Sequence, residues 1–249
     1  MLIIAHRGAS GEAPENTLAA FDLAWRQQAD GIELDVRLSR DGRVMVHHDP
    51  TTKRLTGTDL SIADSTSDAL RQLDFGIWKG PEFAGQRMPV LDEVLAAAPP
   101  GKQVVIEIKC GPEIIPALSQ VLKNPANHAA QLAVSLISFN LDTLIACQQS
   151  LPEIPCLFLQ EADASTTNGF SADLITLALE QGFAGLDLDY KGLTETFAAQ
   201  VRQAGLHLLT WTVNELSQLA HLRACGVEGI TTDWPLQFLN SLQQVGEHS

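Results

Sequence analysis

No two of the four cysteines, Cys110, Cys147, Cys156 and Cys225, form a C-x-x-C pair. Scattered in this way, they give no sign of a disulfide framework and read as reduced core thiols of a cytosolic protein. Cys110 has no catalytic base beside it in sequence, so no nucleophile role is expected of it. The N-terminal residues lack a basic stretch, a long apolar core and a cleavage site, which excludes a signal peptide. No apolar stretch approaches the roughly 20 residues of a membrane span. Basic residues are scarce: 16 Lys and Arg against 30 Asp and Glu leave a formal charge of −14. That excludes a nucleic-acid partner, which needs a basic patch, and disfavours an anionic membrane surface. The acidity itself serves solubility. Linkers, low-complexity tracts and a second domain are all missing. A chain of 249 residues, 45% hydrophobic, can build one sizeable core, and a single domain over 1–249 is expected.

Apolar β-rich runs alternate with amphipathic helical stretches from end to end. Strands are predicted at 2–6, 31–38, 103–109, 133–138, 156–160, 185–189, 207–212 and 229–232. Pro155 marks the start of the fifth, since proline is tolerated there and not within a strand. Helices are predicted at 17–28, 91–98, 113–123, 141–150, 171–181, 193–204, 215–225 and from Pro235 onward. Such βα units imply parallel strands with right-handed crossovers. Count and length together predict an α/β fold, a (β/α)8 TIM barrel.

One segment breaks the rhythm. Val44-Met45-Val46-His47-His48 adds a short strand after the second barrel strand, with Asp41-Gly42 as the turn. The residues 50–88 then form an insertion, long enough to be functional or mobile. Its Phe75, Trp78, Lys79 and Phe83 suit a small apolar cap.

Polar residues collect at the ends of the predicted strands, where a barrel of this kind carries its chemistry. Leu2-Ile3-Ile4-Ala5 reads as a buried strand with His6 and Arg7 at its C-terminal mouth. Glu33 and Asp35 are two apart on the second strand and share a face. Two carboxylates held that close repel each other unless a cation sits between them. Glu107 and Lys109 repeat the spacing, and burying them unpaired inside a barrel would cost several kcal/mol, of order 3–5. A cation bound by Glu33, Asp35 and Glu107 supplies the reason. Oxygen ligands suit Mg²⁺, Ca²⁺ or Mn²⁺ and not Zn²⁺. The plain alternative is a structural Glu107–Lys109 ion pair. Ser138, Asp187, Asp189, Trp211, Thr232 and Asp233 lie at other strand ends.

His6 and His48 each border a charged residue, Arg7 and Asp49. Arginine suits phosphate through its planar fork of donors, and Asp49 can orient a neighbouring imidazole. His47 alternates to the opposite face and is expected outside the site. His128, His207, His221 and His248 read as hydrogen-bonded surface groups. Asn16 is either a helix N-cap or a substrate contact. A divalent cation flanked by acid–base groups is the equipment for cleaving a phosphate ester.

His6-Arg7-Gly8, Pro14-Glu15-Asn16-Thr17, Glu33-Leu34-Asp35-Val36, Asp41-Gly42, His48-Asp49-Pro50, Glu107-Ile108-Lys109 and Asn214 after Trp211-Thr212-Val213 together resemble the glycerophosphodiester phosphodiesterase family. The ordered set runs over almost the whole chain and looks most like the short cytosolic bacterial members, those linked to uptake of glycerol-3-phosphate precursors. The resemblance implies a metal-dependent barrel hydrolase acting on a small molecule. Glycerophosphocholine and glycerophosphoethanolamine would be cut to sn-glycerol 3-phosphate and an alcohol. It maps catalysis onto His6 and His48, one divalent cation onto Glu33, Asp35 and Glu107, phosphate contacts onto Arg7 and Lys109, and the glycerol or leaving-group side onto Trp211. It departs from the family at His47, where an apolar residue is more usual. Proton transfer would have His6 as base and His48 as acid, through a cyclic phosphate or by direct attack of water. The rival readings are a sphingomyelin or lysophospholipid phosphodiesterase of phospholipase D type, an enolase-like lyase, and a non-catalytic phosphodiester-binding protein. Nothing in the sequence points to a particular oligomeric state.

Overall fold

The computed structural model describes residues 1–163 and 169–246. In chain order it runs β1 (Leu2–His6), α1 (Leu18–Arg26), β2 (Gly31–Leu38), β3 (Val44–Val46), α2 (Lys53–Thr56), α3 (Ser67–Leu70), α4 (Leu91–Ala97), β4 (Gln103–Ile108), α5 (Ile115–Leu122) and β5 (Ala133–Ser138). It continues α6 (Leu141–Ser150), β6 (Cys156–Gln160), α7 (Asp173–Gln181), β7 (Gly185–Asp189), α8 (Glu195–Gln203), β8 (His207–Trp211), α9 (Leu219–Cys225), β9 (Gly229–Thr232) and α10 (Pro235–Gly246). The strands run parallel in the order β1-β9-β8-β7-β6-β5-β4-β2, and β1 pairs with β2 to close the ring. The result is the (β/α)8 barrel the alternation predicts. β3 stands outside it, antiparallel to the end of β2.

Strand periodicity decides what faces where. Ile3 and Ala5 of β1, Ile32, Leu34 and Val36 of β2, and Val104, Ile106 and Ile108 of β4 all pack outward into the core shared with the helices. Each isoleucine, leucine and valine among them contributes about 1.5–3 kcal/mol by leaving water. Their neighbours must then point into the barrel. Ile4, Val105, Ile137, Leu157, Leu159 and Leu209 fill that interior. His6, Glu33, Asp35 and Glu107 share the inward parity, His6 and Glu107 at the C-terminal ends of their strands and Glu33 and Asp35 in the middle of β2.

Helix boundaries follow local chemistry. Thr17 caps α1, its hydroxyl accepting from the Ala20 N–H at 3.3 Å, where a helix from Thr17 itself was expected. Asn140 and Thr194 cap α6 and α8 in the same way. The expected helices over 113–123 and 215–225 open instead with 3-10 turns, Pro112–Ile114 and Leu216–Gln218. Pro116 then sits in the first turn of α5, where its missing N–H costs nothing.

The insertion has its own small core. Met45, Leu55, Ile62, Leu70, Phe75, Met88 and Val90 form a separate buried cluster. Of the four residues expected to build an apolar cap, only Phe75 belongs to it. Trp78 is 41% exposed, and Lys79 reaches across to the Ser10 carbonyl at 2.6 Å. Phe83 ends a surface 3-10 turn, Pro81–Phe83. Asp41, in the turn before β3, anchors the excursion: it accepts from the Ser67 N–H at 2.9 Å and the Ser67 hydroxyl at 2.7 Å.

All four cysteines are free thiols, three of them buried. His207 pairs with Glu228 and His221 bonds the Leu193 carbonyl. His128 sits in a left-handed turn, and His248 lies outside the described residues. No helix among the described residues is long and apolar enough to cross a membrane.

Candidate active site

Two registers assemble the site. His6 of β1 lies opposite Glu33 of β2, and Asp35 of β2 lies opposite Glu107 of β4. Parallel neighbours are about 4.8 Å apart, so three carboxylates from two strands converge. One oxygen each of Glu33, Asp35 and Glu107 lies within 4.8 Å of the others, and all three residues are buried. Among the described residues Glu33 Oε1 has no hydrogen-bond or ion-pair partner. Lys109 answers the other two, its Nζ 2.5 Å from Glu107 Oε1 and 3.4 Å from Asp35 Oδ1. The Glu107–Lys109 pair expected as the plain alternative therefore exists, but it leaves Glu33 Oε1 unanswered.

The backbone after β1 is bent to reach this cluster. Arg7 and Asn16 both adopt left-handed conformations, φ 54° and 56°. Such strain in an arginine costs about 1–3 kcal/mol and persists at functional sites. Here it turns the Arg7 N–H toward Glu33 Oε2 at 3.0 Å and sets Nε 3.1 Å from Asp35 Oδ2. Gly8 completes the turn at φ +81°, where a Cβ would meet the Ala20 backbone at 2.6 Å. Asn16 is not the helix cap that was one of its two expected roles. Thr17 takes the cap, and Asn16 Nδ2 donates to Asp35 Oδ2 at 2.7 Å while its Oδ1 accepts from the Asp35 N–H at 3.3 Å. It fixes a carboxylate.

Each flanking imidazole is held by its own carboxylate. His6 Nδ1 is 2.6 Å from Asp233 Oδ1, leaving Nε2 3.9 Å from Glu33 Oε2. Asp233 is tied in turn to Ser10 and Asn214. His48 Nδ1 is 2.7 Å from Asp49 Oδ1. His47, as expected, turns away: it is buried against the insertion, edge-on to Phe75, with Nε2 3.1 Å from the Thr51 carbonyl.

Charge is unevenly shared. Burial, then Asp35 and Glu107, push the Glu33 carboxyl well above its ordinary range. Burial and then Asp35 raise Glu107 to about 7. Asp35 resists burial because Arg7 and Lys109 hold it low. Asp233 likewise overcomes burial through His6 and falls to about 2. Burial lowers His48, against the pull of Asp35.

These groups open on a cavity of about 220 Å³, also lined by Ile137, Phe139, Leu159, Asp187, Trp211 and Thr231. Trp211 meets Phe139 edge-to-face at 5.5 Å, and its Nε1 donates to the Asp187 carbonyl at 3.2 Å. A larger cavity of about 520 Å³ lies at the opposite end of the barrel, lined by strand-start residues such as Leu2, Gln103 and His207. It holds no converging carboxylates and does not reach the groups described above.

Sequence reasoning missed Glu15, Arg54, Ser10 and Asn214 as parts of the network and left Asp233 unassigned. Asp233 was legible as a strand-end carboxylate. Arg54 had no local signal, since its partners Glu15 and Asp49 come from separate loops.

Known proteins resemble this chain over nearly its whole length. A glycerophosphodiester phosphodiesterase of Caldanaerobacter subterraneus is 32% identical, covering 98% of this chain and 99% of that one. A glycerophosphodiester phosphodiesterase of Bacillus subtilis is 31% identical over 94% of this chain and 84% of its own. The solved structure of a phosphodiesterase of Oleispira antarctica, in complex with the product sn-glycerol-3-phosphate, superposes with a TM-score of 0.88 at 28% identity, covering 98% of this chain and 97% of that one. The glycerophosphoryl diester phosphodiesterase family model matches residues 6–237, which include every residue lining the smaller cavity, and the chain belongs to that family of enzymes hydrolysing glycerophosphodiesters.

Proposed function

We propose that Glu33, Asp35 and Glu107 hold one divalent cation and that His6 and His48 exchange the protons of the reaction. The observation that carries this is the set of three buried, convergent carboxylates, with Glu33 Oε1 unpartnered among the described residues, beside two cationic side chains. Three buried carboxylates beside only two cations are costly, and an oxygen-seeking ion such as Mg²⁺, Ca²⁺ or Mn²⁺ fits the donor set. When bound, the cation would polarise a phosphoryl oxygen and acidify the glycerol 2-hydroxyl. Arg7 and Lys109 offset the charge that develops on the phosphoryl oxygens. His6 presents Nε2 as the base, because Asp233 occupies Nδ1. It takes the proton of the 2-hydroxyl, whose oxygen attacks phosphorus. His48, with Nδ1 held by Asp49, presents Nε2 to protonate the departing alcohol. Water then opens the cyclic phosphate to sn-glycerol 3-phosphate.

The substrates on this reading are glycerophosphocholine, glycerophosphoethanolamine and similar small diesters, with Trp211 lining the organic side of the cavity. The 1–249 chain works as one catalytic domain whose 50–88 insertion supplies part of the site. The net charge of −14 and free thiols suit a cytoplasmic enzyme.

The deciding experiment is choline release from glycerophosphocholine. Chelation should abolish it, and Mg²⁺, Mn²⁺ or Ca²⁺ should restore it. Full turnover in excess chelator, with no metal found by elemental analysis, would refute the reading. A 2-deoxy substrate should bind yet stay uncut, and its rapid cleavage would show that water attacks directly.

A further inference from the structure

Four polar side chains lining the cavity, Glu161, Asp187, Thr212 and Thr231, have no part in the proton and phosphate chemistry, and of these only Asp187 and Thr231 are buried. Asp187 is 1% exposed, and among the described residues its side chain has no hydrogen-bond or ion-pair partner. Thr231 is equally buried, and its Oγ1 is also unpartnered. Both line the same 220 Å³ space as His6, Glu107 and Lys109. A buried carboxyl without a partner costs free energy that the surrounding fold must supply.

Their height in the barrel says what they face. Asp187 is registered between Leu159 and Leu209, and Thr231 is registered beside Ile4. Asp187 is thus one inward layer below Trp211, and Thr231 one layer below His6. The indole of Trp211 covers Asp187 from the mouth side, donating to its carbonyl. The floor beyond is closed by the apolar interior of Ile4, Val105, Leu157 and Leu209.

A glycerophosphodiester has a phosphate, a departing alcohol and a glycerol with two free hydroxyls. On the reading above, the phosphate and the 2-hydroxyl are taken by the carboxylate, arginine and lysine groups. The alcohol must reach the mouth in order to leave. The terminal hydroxyl of the glycerol remains, and the buried, unpartnered polar groups left to receive it are those of the floor. We propose that Asp187 binds this terminal hydroxyl, and so confines the enzyme to diesters whose glycerol carries no acyl chain. An acyl ester at that position would have no room beneath Trp211.

The proposal rests on the metal-and-phosphate reading, and its test separates the two. The kcat/KM of glycerophosphocholine is compared with that of the analogue in which propane-1,2-diol replaces glycerol, the 2-hydroxyl being kept. The wild-type enzyme should favour the glycerol substrate roughly tenfold or more, the usual effect of stranding a buried polar group. In Asp187→Leu this preference should fall to about one, while Asp187→Asn, which still hydrogen-bonds, keeps most of it. Leucine matches the neighbouring Leu159 and Leu209, so Asp187→Leu should melt no lower than wild type, a pairing of lost preference and kept stability that a structural role would not produce. An undiminished preference in Asp187→Leu overturns the proposal. So does a loss that strikes choline and ethanolamine diesters but spares glycerophosphoglycerol, which would make Asp187 a cation site. Should the leucine variant not fold, a wild-type preference of about one overturns it unaided. A metal-loaded wild type that releases no choline would remove the underlying reading, and this proposal with it.

Discussion

Arg54 donates to both carboxylate oxygens of Glu15, at 2.8 and 2.9 Å, across 39 residues of chain. Glu15 also accepts from Arg7 Nη1 at 2.9 Å. The Nε of Arg54 meets Asp49 Oδ2 at 2.6 Å, and the other oxygen of Asp49 is 2.7 Å from His48 Nδ1. One guanidinium from the insertion thereby positions an arginine on one side of the cavity and a histidine on the other.

Removing it should misplace both. Arg54→Ala should lower kcat by on the order of 10²-fold, the scale of an ångström of misplacement. Arg54→Lys should recover little, because an ammonium cannot fork across Glu15 and Asp49 together. Metal affinity measured by calorimetry should stay within about twofold, since no carboxylate of the trio touches Arg54. Unchanged kcat in Arg54→Ala would show the network to be decorative.

The histidine pair should give a bell-shaped pH dependence of kcat/KM. His6→Ala and His48→Ala should each cost roughly 10²–10⁴-fold in kcat. The double variant should not multiply the two losses, since both act in one reaction. A nitrophenyl ester, whose leaving group needs no proton, should rescue His48→Ala and leave His6→Ala inactive. Rescue of His6→Ala instead would reverse the roles. His47→Ala should keep most of its kcat, and a dead His47→Ala enzyme would mean the wrong histidine had been chosen.

Stability should carry the signature of the buried carboxyl on β7. Burial, then Glu107, raise Asp187 from 3.8 to about 8. The folded protein keeps that proton after the unfolded chain has lost it, so this group's contribution falls as pH rises from about 4 to about 8. The slope is at most about 1.4 kcal/mol per pH unit. His47 and His48, both lowered chiefly by burial, act in the opposite sense up to about pH 6.5, where the unfolded chain holds their protons. Comparing chelated wild type with chelated Asp187→Leu cancels the histidines. The variant's advantage in Tm should grow from pH 4.5 to pH 8 and then level off. A difference that shrinks with pH would contradict the assignment.

The insertion should melt through its own core. Phe75 is 2% exposed and packs edge-on against His47 at 5.6 Å. Phe75→Ala should cost about 3–5 kcal/mol in denaturant unfolding. Trp78→Ala, at an exposed position, should stay within about 0.5 kcal/mol. Equal costs would show that Trp78 belongs to the cap after all.

What the sequence by itself determined is local and periodic. Apolar runs alternating with amphipathic stretches specify the barrel. The two-residue spacings of Glu33 with Asp35 and of Glu107 with Lys109 specify which side chains share a face, because the strand repeat is two. His47 and His48 were separable on the same ground, and Asp49 was legible as the partner of the second. Tertiary structure alone decided what closure and register bring together. It set Asp35 opposite Glu107 and brought Asp233 to His6 across 227 residues. It also clasped Glu15 with Arg54, gave Asn16 to Asp35, and left Asp187 without a partner on the barrel floor. Periodicity fixes the direction of a side chain within its own element. The distance between two elements depends on how all eight strands stagger around the ring, which no local stretch of chain encodes.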